Sequence, residues 1–236
     1  RPAVIFGSDN LEGCIHSFFE ILSNSIDEAR EGHGDKIIIT RFADGTIEVE
    51  DFGRGIPMDY NAKEGRYNWE LVYCELYAGG KYNNNAAGDY EFSLGLNGLG
   101  ACATQYASEF FEVTVFRDHT KYSMGFKKGV PVTELMQEPY RFKRTGTVQR
   151  WKPDTEVFTE IIIPLDTFKE IIKRQSVINS GIEFILKDAE SGEEFSFIYP
   201  EGIKGYVDEL NAMKGFTETY TFSGEGKGRD KEDRDE

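Results

Sequence analysis

A long amphipathic helix followed at once by a tight hairpin constrains this sequence more than any other feature. Residues 14–31 read as a helix of about eighteen residues. At about 100° per residue, Ile15, Phe18, Phe19, Leu22, Ile26 and Ala29 fall in one arc of roughly 100°, which must face a core. His16, Glu20, Asn24 and Asp27 fall in an opposite arc of about 80°. No cation intervenes between Cys14 and Ala29, although an ordinary polar face fits the helix alone equally well. Gly32-His33-Gly34-Asp35 then stops the helix. Residues 36–41 are a β-branched run, Asp44-Gly45 is a hairpin signal, and residues 47–51 alternate as the return strand. A helix running into an antiparallel hairpin excludes a repeating βαβ plan.

The rest of the chain supplies more hairpins. Residues 1–13 read as an extended arm with a turn at 7–10, and residues 68–77 as a short helix. Strands are expected at 110–116, 120–127, 147–151, 160–163, 183–187, 194–199 and 216–222, and helices at 101–108, 169–180 and 205–213. The sum is an α+β two-layer sandwich, with a mixed, mostly antiparallel sheet of about eight strands and helices on one face. The last fourteen residues hold many charges and no large apolar side chain, and are expected to be a disordered or cut end.

Composition narrows the function classes. The net charge of −15 argues against a module that grips nucleic acid by neutralising phosphates. A small anionic ligand would need local devices: helix N-termini, glycine-rich backbone and a few placed cations. No apolar run approaches the roughly 18 residues of a membrane span. Cys14, Cys74 and Cys102 form neither a CxxC pair nor a zinc spacing, so a reduced interior is expected. The start at Arg1-Pro2, without a methionine, points to a processed or trimmed piece.

Two glycine-rich stretches suggest a ligand. In Glu50-Asp51-Phe52-Gly53-Arg54-Gly55-Ile56-Pro57 an acid at a strand end precedes two glycines around an arginine. The dinucleotide fingerprint fails here, because no third glycine follows at the right spacing and Pro57 blocks helix entry. The arrangement can aim Asp51 into a cavity floor while Gly53 and Gly55 let a flat ligand approach the backbone. Between Tyr77 and Gly100 there are six glycines and Asn83-Asn84-Asn85, which reads as a mobile lid. Lys81 follows Gly79 and Gly80. The lid ends at Gly95, Leu96, Asn97, Gly98, Leu99 and Gly100, a glycine-rich turn entering a helix, which can cradle phosphate. The Walker pattern is absent.

Taken together, Glu20 to Ala29, Asp51 to Pro57, Gly95 to Gly100, and Thr145-Gly146-Thr147 with Pro153-Asp154 resemble the nucleotide-binding domain of GHKL-type ATPases. The phrases Asn24-Ser25-Ile26-Asp27-Glu28-Ala29, Gly53-Arg54-Gly55-Ile56-Pro57 and Ala78-Gly79-Gly80-Lys81-Tyr82 resemble the B subunits of type IIA topoisomerases, gyrase or topoisomerase IV. The resemblance implies ATP and Mg²⁺ as ligands. It makes Glu20 the general base, His16 its orienting partner and Asn24 the magnesium ligand. It gives Asp51 the adenine amino group, pairs Glu28 with Arg54 beside the base, walls the base with Gly55, Ile56 and Pro57, and places Thr147 beside Asp51. Lys81 and the 95–100 turn would hold phosphates, with Tyr90 packing on the nucleotide from the lid. It divides the chain into an ATP-binding domain at 1–215 and a truncated transducer start or tail at 216–236. It also implies an A-subunit partner, DNA contacts through other domains, self-dimerisation in a longer chain, ATP-competitive inhibitors as ligands, a cytoplasmic setting and poor hydrolysis by this piece alone. The rival readings are a chaperone or mismatch-repair ATPase of the same fold and a sensor without turnover. The Gly-Arg-Gly-Ile-Pro phrase argues against the first, and Glu20 against the second.

The sequence departs from the family at Ser23, Phe52 and Asn97, and at Ser123, where the family carries an arginine used by aminocoumarins. A serine lacks the planar fork of a guanidinium. Ser123→Arg is therefore expected to strengthen aminocoumarin binding and leave ATP affinity nearly unchanged. Calorimetry showing no gain would refute the register or the contact, and Lys121→Ala tests whether Lys121 serves the same group.

Overall fold

The computed structural model describes residues 2–76, 99–212, 214–215 and 217–222. The expectations for Gly79, Gly80, Lys81, Tyr90, Gly95, Leu96, Asn97 and Gly98, for the lid and for the last fourteen residues lie outside that set.

Helix α1 (Pro2–Phe6) precedes α2 (Leu11–Arg30). The hairpin β1 (Lys36–Arg41) and β2 (Ile47–Asp51) follows, then a small hairpin, β3 (Tyr60–Asn61) and β4 (Arg66–Tyr67), and α3 (Asn68–Tyr73). After α4 (Gly100–Tyr106) come β5 (Ser108–Arg117), β6 (Thr120–Lys127), β7 (Val130–Pro131), β8 (Met136–Pro139) and β9 (Gly146–Pro153). The chain continues through α5 (Leu165–Ile178), β10 (Glu183–Asp188), β11 (Glu194–Phe197) and α6 (Gly202–Leu210). Nine strands form one sheet in the order β11-β10-β1-β2-β9-β5-β6-β7, with β8 also on β6. Only β1 and β10 pair in parallel among the described strands. The α+β sandwich is thus as expected, with nine strands in its main sheet: seven that the sequence marks and two that it does not. The additions, β7 and β8, are fully exposed and lack the apolar alternation that marks a strand.

Strand β2 shows why the layers stack. Ile47, Val49 and Asp51 are buried, while Glu48 and Glu50 face outward. Helix α2 lies on the buried side, where Phe18, Ile21, Leu22 and Ile26 join Ile37, Ile39, Val49 and Trp151 in one core. An edge contact of 4.9 Å between the rings of Phe18 and Phe168 ties α2 to α5.

Several expectations are corrected. Helix α2 starts at Leu11, because the Asn10 side chain accepts from the Glu12 N–H (2.9 Å) and caps it three residues early. Its buried face is turned from the expected arc. Cys14, Ser17, Ile21 and Ser25 are buried, whereas Ile15 and Phe19 are half-buried and line a cavity of about 490 Å³ against Ile171 of α5. One reason is α4, which packs on α2 and whose Thr104 hydroxyl donates to the Ser17 carbonyl (3.2 Å). Residues 2–6 are helical rather than extended, with Phe6 buried against Phe158. Residues 160–163 form no strand. Ile161 and Ile163 bury their side chains, and their carbonyls accept from Cys14 Sγ (3.8 Å) and Arg41 Nε (3.3 Å) instead of a ladder. Described residues 217–222 form no strand either, and Tyr220 and Phe222 stand exposed. The three cysteines are free.

Candidate nucleotide-binding site

The polar face of α2 ends above the C-terminal end of β2, and Asp51 sits where they meet. Its side chain is buried, at 6% exposure. Oδ1 accepts from the N–H groups of Gly53 (3.0 Å) and Thr147 (3.1 Å), and Oδ2 accepts from the Ser25 hydroxyl (2.9 Å). Burial pushes this carboxyl above its ordinary range, against the pull of those three donors. A carboxylate offers about four acceptor positions. Three are used by donors among the described residues, which leaves Oδ2 one position for a ligand donor. Thr147 faces the same spot, its Oγ1 accepting from the Ile56 N–H (3.1 Å).

The turn after β2 is fastened by charge. Glu28 accepts from Arg54 three times: at the backbone N–H (3.0 Å), Nε (3.1 Å) and Nη2 (2.6 Å). Arg54 Nη2 also reaches Glu31 at 2.7 Å. Burial would raise the Glu28 carboxyl, but the bonds and charge of Arg54 reverse that and hold it below its ordinary 4.5. This packing requires both glycines. A Cβ on Gly53 would meet the Glu28 carboxylate at 2.9 Å. Gly55, at φ +85°, lies against the carbonyl of Phe116, 2.9 Å from where a Cβ would stand. Ile56 and Pro57 follow, both half-buried.

Further along α2, His16 Nε2 lies 3.5 Å from Glu20 Oε1. His16 Nδ1 is 3.2 Å from the Phe6 carbonyl, so an N–H there leaves Nε2 turned to Glu20. Burial raises the Glu20 carboxyl, and His16 partly offsets the rise. The Glu20 carboxylate rests against the start of α4, where a Cβ on Gly100 would run into it; Leu99 precedes as the cap. Asn24 is half-buried between Glu20 and Glu28 on the same face, and its side chain makes no hydrogen bond among the described residues.

The structure therefore brings His16, Glu20, Asn24, Glu28, Asp51, Arg54, Gly55, Ile56, Pro57, Thr147, Leu99 and Gly100 around one region. No cluster of three or more His, Cys, Asp or Glu side chains able to hold a metal occurs among the described residues. The sequence reading missed Ser25, Glu31 and the Phe6 carbonyl. Ser25 offered a signal, since it lies beside Leu22 and Ile26 on a face that buries, and a buried hydroxyl needs a partner.

No family model matches the chain. The DNA gyrase B protein of Staphylococcus aureus strain Mu50 is 40% identical over 218 residues, covering 91% of this chain and 33% of its own length. That of Thermotoga maritima is 37% identical over 216 residues, with the same coverage. Over nine-tenths of its length this chain is a gyrase B homologue. It spans about a third of the length of the curated relatives it matches. A crystal structure of the 43K ATPase domain of Thermus thermophilus gyrase B, in complex with an aminocoumarin, superposes with a TM-score of 0.77 at 28% identity. That match covers 90% of this chain and 53% of the other. The nine-stranded sheet and its helices are thus the gyrase B ATPase-domain fold.

The Glu28–Arg54 pair gives a pH signature. Its carboxyl is depressed on folding, so the unfolded chain takes up the proton first as pH falls. The stabilisation is complete above 4.5 and drains away as pH drops through the lower folded value. Glu28→Gln should lower the melting temperature at pH 7, and the gap to the parent should shrink as pH falls from 5 towards 3. A gap of constant size would show that the pair contributes no such linkage.

Proposed function

We propose that this chain is the ATP-binding and ATP-hydrolysing module of a type IIA DNA topoisomerase of the gyrase B kind. One observation carries the reading: a buried carboxylate, Asp51, with three fixed donors among the described residues and one acceptor position left over. Such a group suits the exocyclic amino group of adenine, because binding the base fills the remaining valence of a buried acceptor. Thr147 supports the same edge of the base, while Ile56 and Pro57 wall its face and Arg54, neutralised by Glu28 and Glu31, flanks it.

From that floor the triphosphate would run along the polar face of α2. Asn24 fits a magnesium site: a side-chain amide oxygen without a partner among the described residues, on the face between two carboxylates. Magnesium suits one or two protein oxygens plus phosphate and water, and when bound it neutralises phosphate charge. Glu20 would take a proton from the attacking water as its oxygen bonds to the γ-phosphorus and ADP leaves. His16, oriented by the Phe6 carbonyl, would keep that carboxylate in place and share its charge. Lys81 and the turn through Gly95, Leu96, Asn97, Gly98, Leu99 and Gly100 would hold the phosphates, with Tyr90 packing on the nucleotide.

The wider assignments follow the relatives. The chain up to about residue 215 would be the ATP-binding domain, and 216–236 the start of the next. In the whole protein, ATP binding would close a dimeric gate and hydrolysis reopen it while DNA passes, in partnership with an A subunit and with DNA gripped by other domains. The chain alone would bind ATP and hydrolyse it poorly. Among the described residues no helix is long and apolar enough to cross a membrane. The aminocoumarin held by the Thermus thermophilus domain supports this pocket as a target of ATP-competitive inhibitors.

In the full-length protein, Glu20→Ala should abolish turnover while leaving the affinity for a non-hydrolysable ATP analogue within about threefold, since a base acts in the transition state. Asp51→Asn should weaken that affinity instead. Near-normal turnover of the Glu20 variant would remove the assigned base.

A further inference from the structure

Asp51 is also held from the outer side of the sheet. Arg144 lies two residues before Gly146, where β9 begins. Its Nη2 is 2.5 Å from Glu50 Oε1. Its guanidinium carbon is 5.2 Å from the ring centroid of Phe52 and 4.2 Å from that of Phe116. Lys36 Nζ also lies over Phe52, at 4.8 Å. One side chain thus grips both sequence neighbours of Asp51, and does so from the segment that leads into Thr147.

That junction needs a brace. The paired register of β2 and β9 ends at Glu50 and Val148. Beyond it, the Thr147 N–H on Asp51 Oδ1 and the Arg144 contacts tie the two strands together. The backbones touch there, because a Cβ on Gly146, at φ +128°, would run into the Asp51 carbonyl. Gly146 is also registered with Phe116 of β5, so the Arg144 side chain spans three strands. Pairing with a carboxylate while stacking on two rings calls for a planar, permanently charged group, which lysine lacks. The Nε of Arg144 is buried with no acceptor among the described residues, so the side chain is held by its ion pair and its two rings.

We propose that Arg144 is a positioning residue for base recognition: by fastening Glu50 and Phe52 to the lead-in of β9, it sets the Asp51 carboxylate and Thr147 at the spacing that reads the exocyclic amino group of a purine. This inference rests on the adenine reading above. Its signature is selectivity rather than affinity in general. A loosened clamp costs a ligand only the contact that depends on the Asp51 position.

The test is calorimetry on this chain with two ligands, the β,γ-imido analogue of ATP and its inosine counterpart, which carries a carbonyl in place of the amino group. The parent should prefer adenine. Arg144→Ala should cut that preference about tenfold, almost wholly through weaker adenine binding, and Arg144→Lys should restore part of it through the surviving ion pair. Phe52→Leu, which removes a ring and keeps an apolar side chain, should also reduce the preference and carries the test if Arg144→Ala fails to fold. The proposal is overturned if these variants leave the ratio unchanged, or weaken both ligands equally, while Asp51→Asn abolishes it. A preference that survives Asp51→Asn would overturn the adenine reading itself, and the proposal with it.

Discussion

The arrangement depends on a carboxylate placed where water scarcely reaches. A buried charge is costly unless donors surround it, and the donors of Asp51 come from three directions. Ser25 comes from α2, Gly53 from the turn after β2, and Thr147 from β9. Each bond fixes a different element at the same point. The residue proposed to read the ligand is therefore also the one that registers a helix against two strands. Removing it would leave three buried donors unsatisfied as well as an empty recognition site.

Helix α2 links this floor to the residues proposed for the chemistry. Its buried face packs on the sheet and on α5, which sets its height and rotation. Its polar face then presents His16, Glu20, Asn24 and Glu28 at successive turns, about 5–6 Å apart. Both ends of this row are fastened by groups outside the helix, the Phe6 carbonyl at His16 and Arg54 at Glu28. The proposed base-binding and hydrolytic ends would thereby be kept at a distance fixed by a rigid rod, which suits a triphosphate lying between them.

The helix, the first hairpin and the class of the fold were legible because each follows from local rules: a 3.6-residue period, an Asp-Gly turn, alternating strands. Segments whose state depends on partners were not. Residues 2–6 gain their helix by burying Phe6 on Phe158, and residues 160–163 trade a ladder for contacts with Cys14 and Arg41. Strands β7 and β8 are exposed edge pieces defined only by their bonds to β6. In the site, Asp51, Glu28 and Arg54 stood out through their motif. Gly53 and Gly55 stood out too, but the atoms of Glu28 and β5 that they make room for were not foreseeable from the motif. Ser25 had a signal in its place on the buried face, whereas Glu31 and Arg144 could not be singled out, because each acquires its role from an element distant in sequence.

The central claim is that the free acceptor position on Asp51 receives adenine. A crystal structure of this chain with a non-hydrolysable ATP analogue and magnesium tests it most directly. The account predicts the exocyclic amino nitrogen within about 3.2 Å of Asp51 Oδ2, with the phosphates lying along α2 toward Asn24 and Glu20. A base seated elsewhere, with Asp51 bonded only to Ser25, Gly53 and Thr147, would contradict it.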